Sequence, residues 1–170
     1  MSMPWRRGNK VRLLENGDQF FPRVYGALQR AQHVVLIETF ILFDDDVGRA
    51  LQHEILSAAR RGVRVSVMVD GYGTPYLPAS FVNAMTTRGV RFLYYDPRPR
   101  FMGMRTNLFR RLHCKIVVCD HDIAFVGGIN FSAEHLTSYG PDAKQDYAVE
   151  VKGPIVIDIA RYTHATIQSS

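Results

Sequence analysis

The hydrophobic pattern changes period several times along the chain, and each change marks an element. Residues 33–43, HVVLIETFILF, are almost wholly apolar and rich in β-branched side chains, which predicts a strand covered on both faces. Acidic residues then open DDDVGRALQHEILSAARRG, where Val47, Leu51, Ile55 and Ala58 recur at helical spacing and Gly62 closes the helix. Upstream, ENGDQFFPRVYGALQRAQ predicts a turn at Asn16-Gly17 and a helix with Asp18 as N-cap and Phe21, Val24 and Leu28 on its buried stripe. Strands over 63–71 and 90–95 flank a short helix ending at Gly89. Residues 110–130 read as a buried hairpin turning near residues 120–122. A strand over 146–151 and a helix after Gly153-Pro154 complete the chain. Alternating strands and helices predict an α/β fold, an α-β-α sandwich with a mixed sheet flanked by helices.

Composition narrows the partners only slightly. The 170 residues are enough for one domain with a real core, so 1–170 is taken as a single domain. A formal charge of +5 suits phosphate-bearing partners, either nucleic acid or an anionic membrane. Two cysteines, Cys114 and Cys119, supply no disulfide framework and suit a reducing compartment. The basic start MSMPWRRGNKVRLL lacks the apolar run of a signal peptide, and no stretch has the ~18 apolar residues of a membrane span. Any membrane role is therefore expected to be peripheral.

The hairpin carries the chemistry. His113 and Lys115 interrupt its apolar run, and burying either without a partner costs several kcal/mol. Strand alternation sends His113, Lys115 and Val117 to one face and Cys114, Ile116 and Val118 to the other, with His113 and Lys115 ~7 Å apart. An imidazole and an ammonium can then converge on one group the size of a phosphate. The lysine disfavours imidazolium, leaving a nucleophilic ring, and neutralises charge on a phosphoryl oxygen. Gly127-Gly128 permits close backbone approach, and Asn130 offers amide donors to the same phosphate.

The pattern HCKIVVCD…GGIN resembles the HxKx4D motif of the phospholipase D superfamily with its trailing G-[GS]-x-N. The segments LIETFILFDDDVGRAL, VMVDGYGTP and SAEHLTSYGPDAKQDYAV extend the likeness to the N-terminal half of bacterial cardiolipin synthases, the B-type branch above all. The resemblance implies a phospholipase D-like sandwich, one half of the usual two-repeat unit. His113 matches the motif histidine, nucleophile or general-acid partner. Lys115 and Asn130, beside Gly128, match the phosphate-binding residues, and Asp120 completes the catalytic motif, its family role being mainly to hold the hairpin. Asp146 falls where the family places an acid that orients the histidine, and Glu38 where relatives carry a buried acid behind the site. Gly128 replaces a serine hydroxyl found in many relatives.

The family's chemistry uses two such motifs, one histidine attacking phosphorus and the other serving as acid and base. His33, His53, His121, His135 and His164 lack a lysine two residues on, so the sequence holds one motif. The second half is expected from homodimerisation, as in single-motif relatives, or from a C-terminal repeat of a longer chain. The implied reaction is transfer of a phosphatidyl group from phosphatidylglycerol to a second phospholipid through a phosphohistidine. It needs neither metal nor organic cofactor, and would occur at the cytoplasmic side of a bacterial inner membrane. Residues 96–111 set Arg98, Arg100, Arg105 and Arg110 among Phe101, Met102 and Phe109, a pattern suited to an anionic bilayer surface. The rivals are a homodimeric phosphodiesterase acting on nucleic acid, ranked below the lipid enzyme, and an inactive membrane-binding fragment. A zinc site at His113, Cys114, Cys119 and His121 is disfavoured because strand parity separates the first two.

Overall fold

The computed structural model describes residues 5–74, 77–95, 100–101, 104–105 and 112–169. In chain order its elements are β1 (Lys10–Glu15), α1 (Asn16–Arg30), β2 (Val34–Thr39), α2 (Asp46–Arg60), β3 (Arg64–Asp70), α3 (Ala79–Thr86) and β4 (Arg91–Tyr95). There follow β5 (Arg100–Phe101), β6 (Met104–Arg105), β7 (Ile116–Cys119), β8 (Ile123–Gly127), β9 (Tyr147–Lys152) and α4 (Ile155–Gln168). Seven strands form one mixed sheet in the order β1-β9-β8-β7-β2-β3-β4, while β5 and β6 pair separately. Strands β2, β3 and β4 run parallel, as short crossovers through α2 and α3 require, and the other neighbours pair antiparallel.

Each face of the sheet buries its own apolar set. Phe20, Phe21, Val24 and Leu28 of α1, and Val47, Leu51, Ile55 and Ala58 of α2, pack with Val35, Ile37, Val67, Val117 and Phe125 on one face. Leu36, Met68, Val118 and Ala124 meet Val156, Ala160 and Ile167 of α4 on the other. Each fully buried aliphatic or aromatic side chain contributes roughly 1.5–3 kcal/mol, so these two sets carry most of the fold's stability.

Local chemistry sets the boundaries. Asp45 caps α2 by accepting the Gly48 N–H at 2.9 Å. Asp18 does not cap α1: Glu15 occupies that position, and Asp18 instead accepts the Thr137 N–H and hydroxyl. The strand β1 was not anticipated from the pattern; five of its six residues are exposed, and only Leu14 is buried. The hairpin β7–β8 is shorter than expected. Its paired strand starts at Ile116, and one further bond, from the Gly127 N–H to the Lys115 carbonyl, extends the ladder. The turn places Asp120 and His121 at φ +53° and +57° with the Asp122 N–H bonded to the Cys119 carbonyl, the geometry of a tight two-residue hairpin.

Candidate active site

The sheet gathers its chemistry at one edge. Strand β2 ends there and antiparallel β7 begins there, with Glu38 opposite Ile116. Strand β8 leaves through Gly127, which pairs with Ala148 near the start of β9. His113, Lys115, Gly128, Asn130 and Asp146 therefore come together at this edge. Asp120 lies at the opposite one, seven residues along an extended segment from His113, or roughly 23 Å. It is not in contact with the motif histidine. Its carboxylate accepts the N–H groups of Gln32, His33 and Val34 at 2.6, 2.8 and 2.9 Å, stapling the hairpin turn to the start of β2. Burial opposes ionisation of this carboxyl, but the three backbone donors prevail and hold its pKa below the usual value.

Lys115 is 7% exposed, whereas His113 is open to solvent. The Lys115 ammonium donates to the His113 carbonyl at 3.1 Å and sits 5.2 Å from the centre of the Phe40 ring. The His113 ring packs on the same phenyl group, centroid to centroid 5.0 Å. Phe40 thus seats both motif side chains, a cation on an aromatic face contributing ~0.5–2 kcal/mol. Burial lowers the Lys115 pKa, with the negative charge of Asp146 the main opposing influence and Cys114 and Asp70 adding to it. An ammonium can donate three hydrogen bonds, and the described residues accept one of them here.

Asn130 is oriented by its neighbours. Its Oδ1 accepts the Ile41 N–H at 3.1 Å, which directs the Nδ2 donors away, and Nδ2 makes no hydrogen bond among the described residues. Gly128 does not offer its N–H to a ligand, because that group bonds to the Tyr147 carbonyl at 2.8 Å. Its missing side chain matters instead: a Cβ there would overlap the Asp146 carboxylate. Asp146 in turn accepts the Tyr147 N–H at 2.7 Å, while its backbone is held by Asn16. No hydrogen bond joins it to His113, so in this structure it sits against Gly128, its charge bearing on Lys115 and His135, and does not orient the histidine.

Glu38 is buried, as expected of it, but on the other face of the sheet. Alternation along β2 turns it to the α4 face with Leu36, the opposite face of the sheet from the side to which Lys115 points. It is fully buried, and neither carboxylate oxygen reaches a hydrogen-bond partner among the described residues. Burial raises its pKa to about 7, with the nearby Thr166 hydroxyl pulling the other way. An orphaned buried polar group costs about 1–3 kcal/mol.

Three contributors were missed by sequence reasoning. Phe40 reads as one more apolar residue. Asp70 accepts the Tyr72 and Gly73 N–H groups through Oδ1, at 2.7 and 2.8 Å, and the Leu112 N–H through Oδ2 at 2.7 Å, anchoring the residue just before His113. The Asp-Gly-Tyr-Gly run after a strand was the available signal for that Asx turn. His135, 2% exposed, accepts the Asn130 N–H on Nε2 at 3.3 Å. The zinc ligands weighed from sequence divide between two edges, His113 and Cys114 before β7, Cys119 and His121 at its far end. Arg98, Met102, Phe109 and Arg110 lie outside the described residues, as do the side chains of Arg100, Phe101 and Arg105. Among the described residues no helix is long and apolar enough to cross a membrane.

Known proteins share both the sequence and the fold. The family model for "Cardiolipin synthase, PLD-like domain" matches residues 24–168. Cardiolipin synthase B of Salmonella typhi and of Escherichia coli K12 are each 59% identical over 162 residues, which is 95% of this chain and 39% of theirs. Cardiolipin synthase A of Pseudomonas fluorescens is 40% identical over 155 residues, 91% of this chain and 32% of that protein. The chain thus spans about two-fifths or less of the length of these relatives. Among solved structures, the phospholipase D family member Nuc of Salmonella typhimurium superposes with TM-score 0.66 at 14% identity, covering 94% of both chains. NucT of Helicobacter pylori gives 0.69 at 14% identity, covering 95% of this chain and 98% of that one. The chain belongs to the cardiolipin synthase family of phospholipase D-like domains.

Proposed function

We propose that this domain is one half of the active site of a cardiolipin synthase-type phosphatidyltransferase acting on anionic phospholipid at a membrane surface. The observation that carries the reading is Lys115, a cation more than nine-tenths buried with two of its three donors unclaimed among the described residues, beside an Asn130 amide whose donor end is likewise unpaired among them. A buried ammonium is costly unless a counter-charge arrives, and a phosphodiester supplies one. A nitrogen of His113 attacks phosphorus of phosphatidylglycerol, forming the P–N bond as the P–O bond to glycerol breaks. The departing alkoxide takes a proton from the second half's acid. The hydroxyl of a second phospholipid then attacks the phosphohistidine, loses its proton to that same group, and restores the free histidine with cardiolipin as product when the acceptor is phosphatidylglycerol. Lys115 and Asn130 stabilise charge on the phosphoryl oxygens at both steps. The second half comes from another copy of this chain or from further polypeptide, as the greater length of the named relatives suggests.

The test uses phosphatidylglycerol vesicles, with glycerol release and cardiolipin formation read by mass spectrometry and the phosphatidylated residue located by acid-free peptide mapping. A phosphatidyl group on His113, and loss of both products in His113→Ala and Lys115→Met, are expected. Product formation undiminished in His113→Ala, or vesicles that leave the Lys115 and Asn130 resonances unshifted, would overturn the proposal.

A further inference from the structure

Asn130 is held by three bonds, and one of them is unusual. The Phe131 N–H bonds to the Ile41 carbonyl, and the Asn130 Oδ1 accepts from the Ile41 N–H, so one side of this segment is fixed by the chain that follows β2. The Asn130 carbonyl accepts the Ser132 N–H at 3.1 Å, and the Asn130 N–H goes to the Nε2 of a buried imidazole rather than to a carbonyl. Accepting on Nε2 requires an unprotonated nitrogen there, which puts the ring's single proton on Nδ1. That Nδ1 is buried and has no hydrogen-bond partner among the described residues. Among the described residues the ring thus leaves its one donor unpaired while its acceptor lies under Asn130.

The backbone that carries the ring is fixed on several sides. His135 ends a short 3-10 turn, Ala133–His135, whose start is fixed by the Ala133 N–H bonding to Asp45 Oδ2 at 2.7 Å, the same carboxylate that caps α2. The Glu134 carbonyl accepts the Lys144 N–H at 2.7 Å, and Gly17 of α1 leaves room for the His135 carbonyl, which a Cβ there would approach to 2.9 Å. Three other parts of the chain thus fix the backbone of the turn that carries this imidazole, and the ring itself bonds to the Asn130 N–H.

We propose that His135, as the neutral Nδ1–H tautomer, is a positioning residue that aims the phosphate-binding amide of Asn130. The inference rests on the phosphate reading of the site, and its test separates the two. Long-range proton–nitrogen NMR on the uniformly labelled chain reports the tautomer without ligand. Titration with glycerophosphoglycerol reports affinity through the Asn130 side-chain amide. The wild type should show a pyridine-like Nε2 at pH 7. His135→Leu should weaken the probe about tenfold, the cost of one lost positioning hydrogen bond. His135→Gln, whose Oε1 takes the place of Nε2, should bind close to wild type. An Nε2–H ring in the wild type, or a His135→Leu protein that keeps its affinity, or a His135→Gln protein as weak as His135→Leu, would each overturn the proposal. Wild-type protein that ignores the probe would overturn the phosphate reading itself, and the positioning role with it.

Discussion

Removing the Asp120 carboxylate should destabilise the protein from the edge of the sheet farthest from the chemistry. Its three backbone donors lie at 2.6–2.9 Å, and its own N–H pairs with the Val34 carbonyl at 2.9 Å. At about 1 kcal/mol net for each hydrogen bond, losing three costs about 3 kcal/mol in Asp120→Ala. The left-handed backbone at φ +53° adds roughly 1 kcal/mol, because Asp and Asn tolerate that region better than Ala. Asp120→Asn keeps one accepting oxygen and the turn preference but sets an NH2 against a backbone donor, so its cost is about 2 kcal/mol. Urea unfolding followed by circular dichroism at pH 7 reads both, each kcal/mol corresponding to about 2–4 °C in Tm for a chain of this size. The pH dependence supplies the decisive check. The folded pKa is depressed, so the carboxylate's contribution is complete above the unfolded value of about 3.9 and disappears as pH falls through the folded one. The gap between wild type and Asp120→Asn should then narrow in acid. Variants within about 0.5 kcal/mol of wild type, the usual range for an inconsequential surface change, would refute the staple. So would a gap unchanged in acid.

Two further outcomes follow from the edge of the sheet and its α4 face. Glu38 has a folded pKa of about 7, above its unfolded value, so its burial penalty is absent below about pH 4.5, grows between there and 7, and is complete above. Glu38→Gln should remove this fall in stability, worth about 3 kcal/mol, and a wild type whose unfolding free energy is flat over that range would refute the assignment. Gly128→Ala should cost about 1–3 kcal/mol by overlap with Asp146, and Asp146→Ala should relieve most of it. Simple additivity of the two changes in denaturant unfolding would show that they do not collide.

The elements most legible in the sequence were those whose pattern one layer of packing dictates. The α2 stripe Val47, Leu51, Ile55 and Ala58 is buried as its spacing predicts. Strand β1 escaped notice because KVRLLE is an edge strand with one buried residue, which leaves no alternation to read. His113, Lys115 and Asn130 were readable because they fall within one hairpin and its exit, whereas Asp146 came only from the family resemblance. The face taken by Glu38 was not legible. Period-2 alternation fixes which residues share a face within one strand, but the register between β2 and β7 that sets Glu38 apart from Lys115 depends on pairings remote in sequence. The bonds of Asp146 were hidden for a similar reason, since they involve Asn16, more than a hundred residues earlier.

Phe40 gives the motif lysine company without giving it a counter-ion. A carboxylate in that position would hold Lys115 with greater strength, yet it would already have neutralised the cation and would repel any incoming phosphate. The phenyl face attracts the ammonium through its quadrupole alone and carries no formal charge. It also screens one flank of both His113 and Lys115 from water, so an anion arriving from the other side meets a partly dehydrated cation. An aromatic ring at this point keeps the site's positive charge available for trade with its ligand.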